Sequence, residues 1–79
     1  MITLAAKGYT TDGVPVFLWA YGNYKYEVEV KKLNFSECEV FDASFNEAVN
    51  KFEDRAINGV EYYFENCLRE CPEWSFVYC

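Results

Sequence analysis

The stretch from Tyr24 to Lys31, YKYEVEVK, alternates strictly between aromatic or aliphatic side chains and charged ones. Because successive side chains of a strand point to opposite faces, this pattern predicts a β-strand with one buried and one wet face. Gly22-Asn23 directly precedes it, and Asp12-Gly13 separates two earlier apolar runs. Both pairs are typical of tight hairpin turns. The first third of the chain therefore predicts an antiparallel meander over residues 2–10, 14–21 and 24–33.

The second turn also predicts how two of these strands align. A two-residue loop at Gly22-Asn23 fits a type II′ turn and fixes the register. In this register, three pairs of residues lie opposite each other on the two strands: Tyr21 and Tyr24, Trp19 and Tyr26, Phe17 and Val28. This register places the aromatic residues of the second strand on the core face, beneath a covering helix, and leaves the half-polar opposite face to water.

A fourth strand over residues 36–43 and a helix are predicted next. Ser44 and Glu47 have the spacing of a capping box, in which each side chain bonds the other residue's backbone N–H. The apolar stripe of the helix has spacings of four, three and four: Phe45, Val49, Phe52 and Ala56. This period indicates an amphipathic helix that packs on the sheet.

The sequence allows two predictions for where this helix ends, because the apolar stripe continues through Val60, Tyr63, Cys67 and Cys71. One helix could run to about residue 70, or two helices could meet at a break at Gly59, which the glycine favours. Pro72 ends the helix in either case, and residues 73–79 predict a short final strand. The predicted fold is a single α+β domain, residues 1–79. It has two layers, an antiparallel sheet of three to five strands with one face covered by one long or two short helices.

Charge and composition exclude several classes of function. The net charge is −6, and histidine is absent. Residues 1–32 hold four lysines against three acids, whereas residues 33–79 hold three basic residues against ten acids. Nucleic-acid binding needs Lys and Arg, so this excess of acids argues against direct contact with nucleic acid and suits a basic protein partner. Without histidine, the commonest acid–base catalyst near neutral pH is missing, and we expect no enzyme.

No apolar run approaches the ~20 residues of a membrane span, and the first residues do not form a signal peptide. We therefore expect a cytoplasmic protein without membrane contact. The four cysteines, Cys38, Cys67, Cys71 and Cys79, are then expected to be reduced. One or two disulfides stay open as an alternative, as does a metal site, although the spacing matches no paired zinc knuckle. We predict no cofactor.

The acids of the second half are the candidate functional residues. The predicted partner-binding residues are Glu47, Glu53, Asp54, Glu61, Tyr62 and Glu65. Glu61 and Glu65 would be one helical turn apart, and Tyr62 would be an aromatic anchor. Carboxylates spaced on a rigid helix can occupy the places of phosphates on a nucleic-acid-binding protein. A solvated surface that only keeps the protein soluble, and a pair of catalytic carboxylates, are the alternatives.

The chain resembles small proteins encoded by bacteriophages in three segments, VFLWAYGNYKYEVEV, EVFDA and SFNEAVNKF. The absence of His and Gln and the abundance of Asn, Tyr, Phe and Glu fit the same resemblance. Such proteins include anti-CRISPR and anti-restriction inhibitors, several of them acidic mimics of DNA. SFNEAVNKF is also similar to the helix start of HicB-like antitoxins. The resemblance implies a non-enzymatic inhibitor of a host defence nuclease or nucleic-acid-binding complex, in the cytoplasm of the host bacterium. An antitoxin-like partner of a toxin and a self-assembling structural protein are the alternatives, and a homodimer stays open.

Overall fold

The computed structural model describes residues 2–22 and 24–63. Five strands and one helix follow each other in these ranges: β1 (Thr3–Tyr9), β2 (Pro15–Gly22), β3 (Lys25–Lys31), β4 (Ser36–Asp42), α1 (Phe45–Glu53) and β5 (Asn58–Tyr62). The predicted helix end at Pro72 and the predicted strand over residues 73–79 lie outside the described residues, as does Glu65.

The strands form one antiparallel sheet in the order β4-β3-β2-β1-β5. The first four strands make a meander, and α1 then carries the chain to the opposite edge, where β5 pairs with β1. The helix packs against the central strands β2 and β3 on one face of the sheet. This arrangement confirms the predicted two-layer α+β fold, with one short helix as the described part of the covering layer.

The core lies between α1 and the middle of the sheet. Its largest fully buried side chains are Tyr26, Phe52, Leu18 and Val16. Each large apolar side chain removed from water contributes roughly 1.5–3 kcal/mol. Since the core draws on β1, β2, β3 and α1 together, burial of this one cluster holds the two layers against each other.

The register of β2 against β3 differs from the predicted one by one residue. Leu18 pairs with Val28 and Ala20 with Tyr26, and an irregularity follows between Ala20 and Gly22, where Gly22 pairs with Lys25. Tyr21 is the extra residue on β2, as in a β-bulge. Because side chains alternate with period two, this single residue exchanges the two faces of β2. The predicted core position of Phe17, Trp19 and Tyr21 is therefore wrong, and Val16, Leu18 and Ala20 are buried instead.

The start of α1 agrees with the prediction. Ser44 Oγ accepts a hydrogen bond from the Glu47 backbone N–H at 3.3 Å, and Glu47 Oε1 accepts one from the Ser44 N–H at 3.4 Å. These reciprocal bonds form the predicted capping box. Phe45 and Phe52 are buried, and Val49 packs partly buried against the core, as the stripe requires.

Helical structure does not continue through residues 58–62. The helix ends at Glu53 with Asp54 as its C-cap, and Asn58–Tyr62 forms the edge strand β5. Gly8 on β1 leaves the space that lets β5 lie against β1, because a Cβ at Gly8 would lie 2.9 Å from Ala56 Cβ and 3.1 Å from Val60 Cγ2. The predictions of one long helix and of two helices that meet at Gly59 are therefore both wrong for residues 58–62. Gly59, with φ of 60°, does adopt the left-handed conformation.

Candidate functional site

The predicted binding residues do not form one helical surface. Glu47 is exposed, but its carboxylate is engaged in the capping box, where Ser44 Oγ also lies 3.0 Å away. Glu53 accepts a hydrogen bond from the Tyr62 hydroxyl. The Tyr62 ring meets Phe52 edge-on, with centroids 6.5 Å apart. The structure therefore brings Glu53 and Tyr62 together, and both side chains are exposed.

Two further predicted residues lie apart from that pair. Asp54 is exposed at the C-terminal end of α1. Glu61 belongs to β5, where it pairs with Lys7 of β1 and accepts a hydrogen bond from the Tyr63 hydroxyl at 2.6 Å. Since Glu61 is on a strand, its predicted position on a helix is wrong.

The acids beside α1 are paired with cations. Glu39 on β4 contacts Lys51 Nζ at 2.6 Å, and Glu37 contacts Arg55 at 3.2 Å and Lys32 as well. Hydrogen bonds from Lys32 and then Arg55 lower the pKa of Glu37. On this helix side, the surface formed by α1 and the neighbouring residues of β4, the negative charge of Glu37 and Glu39 is largely neutralised.

The opposite face of the sheet has a different character. No element within residues 2–22 and 24–63 covers it. Its centre is formed by three aromatic side chains of β2 and two carboxylates of β3, all half-buried: Phe17, Trp19, Tyr21, Glu27 and Glu29. We call this surface the open face. Sequence reasoning missed it because the one-residue error in register had assigned these aromatic side chains to the core.

Hydrogen bonds join the aromatic row of the open face to its carboxylates. Trp19 Nε1 donates to Glu29 Oε1 at 3.0 Å, and the Tyr21 hydroxyl donates to Glu27 Oε1. Phe17 packs beside Trp19 with ring centroids 6.0 Å apart. These contacts fix the orientation of both carboxylates on a rigid sheet.

The donors to these carboxylates are neutral groups. The hydrogen bond to Glu27 raises the pKa of Tyr21, and the same acceptor raises the pKa of the Cys38 thiol. Tyr21 and Cys38 therefore keep their protons at neutral pH. In the part of the chain that the structure describes, no ion pair reaches Glu27 or Glu29. Both carboxylates are therefore held in place by neutral donors.

A shallow depression occupies one end of the open face. Its volume is about 270 Å³, and it is lined by Ile2, Trp19, Tyr21, Glu27 and Glu29. Ile2 is exposed, and so is Val40 of β4, which pairs with Glu27. The open face thus combines apolar side chains with two carboxylates on one surface.

The fold and this surface define a two-layer α+β protein with an aromatic and acidic sheet face. Comparison of the chain with models of known protein families, with curated proteins and with solved structures found no match. Within the described ranges, no helix is long and apolar enough to cross a membrane. No group of three or more acidic or thiol side chains there is placed to hold a metal ion, while Cys67, Cys71 and Cys79 lie outside those ranges.

Proposed function

We propose that this protein is a non-enzymatic inhibitor that acts by binding a basic protein, and that the open face is its binding surface. The observation that carries the proposal is the contrast between two pairs of carboxylates. Glu37 and Glu39 on the helix side are bound to lysine and arginine. Glu27 and Glu29 on the open face are bound to neutral donors, so they remain available to cations of a partner.

The target is a nuclease or nucleic-acid-binding complex of bacterial defence, in the bacterial cytoplasm. Its class follows from the resemblance to small phage-encoded inhibitors and from the net charge of −6. A protein that binds phosphates presents lysine and arginine, and these groups are complementary to the open face. Such complementarity speeds association and sets the orientation of the partner more than it adds affinity.

A thiol nucleophile is disfavoured at the one described cysteine. Cys38 is exposed, but the neighbouring carboxylates of Glu27 and then Glu29 raise the pKa of its thiol. The reactive form of cysteine is the thiolate, which a raised pKa suppresses. The arrangement therefore favours binding over nucleophilic chemistry at this residue.

The test compares three forms of the tagged protein in affinity capture from a bacterial lysate. In Glu27→Gln/Glu29→Gln the two side chains keep their shape and a hydrogen-bond acceptor but lose their charge. Glu37→Gln/Glu39→Gln is the matched control, because it removes the same charge from the helix side. We expect the wild type and the control to capture the same basic protein at low salt and to lose it at high salt. The open-face variant should not capture it.

Inhibition is then measured on the captured protein. Purified wild type should block its nuclease or nucleic-acid-binding activity, and the open-face variant should not. Equal capture by all three forms would overturn the proposal, as would loss of capture in the helix-side variant alone. Capture of a ribonuclease toxin would identify the antitoxin-like alternative.

A further inference from the structure

We infer that the open face recognises an extended segment of the partner that carries two arginines at alternate positions, with non-basic residues on either side. The inference rests on the proposed function and specifies the chemistry of the partner at the same site. It follows from the spacing of Glu27 and Glu29, from the charges that flank them, and from the aromatic row beside them.

The spacing of the two carboxylates sets the spacing of the cations. Glu27 and Glu29 are two positions apart on β3, so both side chains lie on the same face, about 7 Å apart at ~3.3–3.4 Å per residue. An extended partner segment has the same repeat. Its side chains at positions i and i+2 therefore match the two carboxylates, whereas adjacent side chains point to opposite sides.

The charges along β3 limit the length of the basic stretch. On the open face the order is Lys25, Glu27, Glu29 and Lys31. A partner with four alternating basic residues would bring its outer pair against Lys25 and Lys31, and this repulsion disfavours longer basic runs. Lys25 pairs with Asp42 on β4, whereas Lys31 pairs with Ser36, so the repulsion is stronger at the Lys31 end.

The same symmetric pattern disfavours a second copy of this chain as the occupant. If two open faces met with their β3 strands antiparallel and centred on Val28, Lys25 would oppose Lys31 of the other copy. Glu27 would oppose Glu29 in the same way, so every pair would have like charge. The charges are instead complementary to a segment with two central cations.

The aromatic row favours arginine over lysine. A guanidinium group stacks on aromatic rings and bonds a carboxylate through two parallel N–H groups, which an ammonium group cannot do. Trp19 and Tyr21 provide the rings, and their hydrogen bonds already hold the carboxylates in position. Because the receptor groups are fixed beforehand, less entropy is lost on binding.

The test uses the full-length protein and synthetic nine-residue peptides of glycine and serine that differ only in their basic residues. The first carries arginine at positions 4 and 6, the second at positions 4 and 5, the third lysine at positions 4 and 6, and the fourth arginine at positions 2, 4, 6 and 8. Binding is followed by NMR titration of the Trp19 indole N–H signal, which is assigned with Trp19→Phe. This signal reports on the Trp19–Glu29 contact directly.

We expect the first peptide to shift this signal and to bind at least about tenfold more tightly than the second peptide of equal charge, a difference of 1.4 kcal/mol. It should also bind more tightly than the lysine peptide and no less tightly than the peptide with four arginines. The variant Glu27→Gln/Glu29→Gln should lose the shift, and Glu37→Gln/Glu39→Gln should retain it.

The contrary results separate this inference from the proposed function. Equal binding of the first two peptides, or tightest binding of the four-arginine peptide, would overturn this inference. So would a Trp19 signal that responds to no peptide, because the face would then not accept an extended basic segment. None of these results affects the proposed function, provided that capture of the basic protein still depends on Glu27 and Glu29. Loss of that dependence would overturn the proposed function itself.

Discussion

Two glutamates on neighbouring strands, Glu29 and Glu37, show how single contacts determine which surface carries charge. Glu29 accepts a hydrogen bond from the Trp19 indole, which brings no charge of its own. Glu37 binds Lys32 and Arg55, whose charges offset its own. A count of acids in the sequence treats these two side chains as equal, although a basic partner would meet them differently.

The pairing of Glu37 leads to a prediction for acid stability. Hydrogen bonds from Lys32 and then Arg55 lower the pKa of Glu37 from its ordinary value of 4.5. The stabilisation is therefore fully present above about pH 4.5 and is lost as pH falls through the lowered pKa of the folded state. We expect Glu37→Gln to melt below the wild type at pH 7, and the two melting temperatures to converge in acid.

Thermal unfolding between pH 7 and pH 2, followed by circular dichroism, checks this prediction. The pair is exposed to solvent, so 1 M salt at pH 7 should also reduce the difference. A difference between the two proteins that stays constant across the pH range would show that Glu37 acts through packing rather than through its charge.

The helix cap gives a second prediction at this scale. Ser44→Ala removes the hydroxyl that accepts the Glu47 N–H and should lower the free energy of unfolding by about 1 kcal/mol, within the usual range of ~0.5–2 kcal/mol. Asn46→Ala is the control, because Asn46 is exposed inside the helix and alanine favours helix there. Urea unfolding compares the two, and an equal effect of both substitutions would contradict a role for the cap.

At the scale of the element, the register of β2 is directly testable. Leu18→Ala should cost about 2–5 kcal/mol, because Leu18 is fully buried and its truncation leaves a cavity. Phe17→Ala removes a larger side chain, but from the half-buried open face, and should cost less. Urea unfolding of the two variants measures both values. A larger loss of unfolding free energy in Phe17→Ala than in Leu18→Ala would support the register that the turn sequence predicts.

The elements that the sequence predicted are those governed by local signals. The alternation of β3, the strand β4 and the capping box of α1 all lie within short windows, and the structure contains them. The register of β2 was not predicted, because Gly22-Asn23 has the sequence of a two-residue turn, whereas the structure has an extra residue at Tyr21. The strand β5 was missed because its apolar spacing also suits a helix. Its conformation depends on the space at Gly8, about fifty residues earlier in the chain.

The candidate site was only partly predictable for the same reason. An acidic surface for a basic partner follows from composition, but its position follows from the register. The expected residues Glu47 and Glu53 have local partners in Ser44 and Tyr62. The aromatic row of β2 belongs to the surface only because Tyr21 shifts the faces of that strand.

At the scale of the whole molecule, the sheet order predicts a gradient of local stability. Among the described residues, β2 and β3 are paired on both sides and covered by α1, whereas β4 and β5 each pair on one side. Amide hydrogen exchange should therefore be slowest in β2 and β3 and faster in β4 and β5. Exchange measured by NMR checks this order, and protection of β5 equal to that of β2 would contradict it.

The path of the chain has a consequence during synthesis on the ribosome. The meander β1 to β4 is complete at Asp42, but the helix that covers it and the strand that closes its far edge end only at Tyr62. At ~5–20 residues per second, the twenty residues between these points take about one to four seconds to emerge. For that time the apolar side chains of Val16, Leu18 and Val28 have no cover. The nascent chain therefore exposes an apolar sheet surface until α1 emerges, which is the condition under which folding intermediates aggregate.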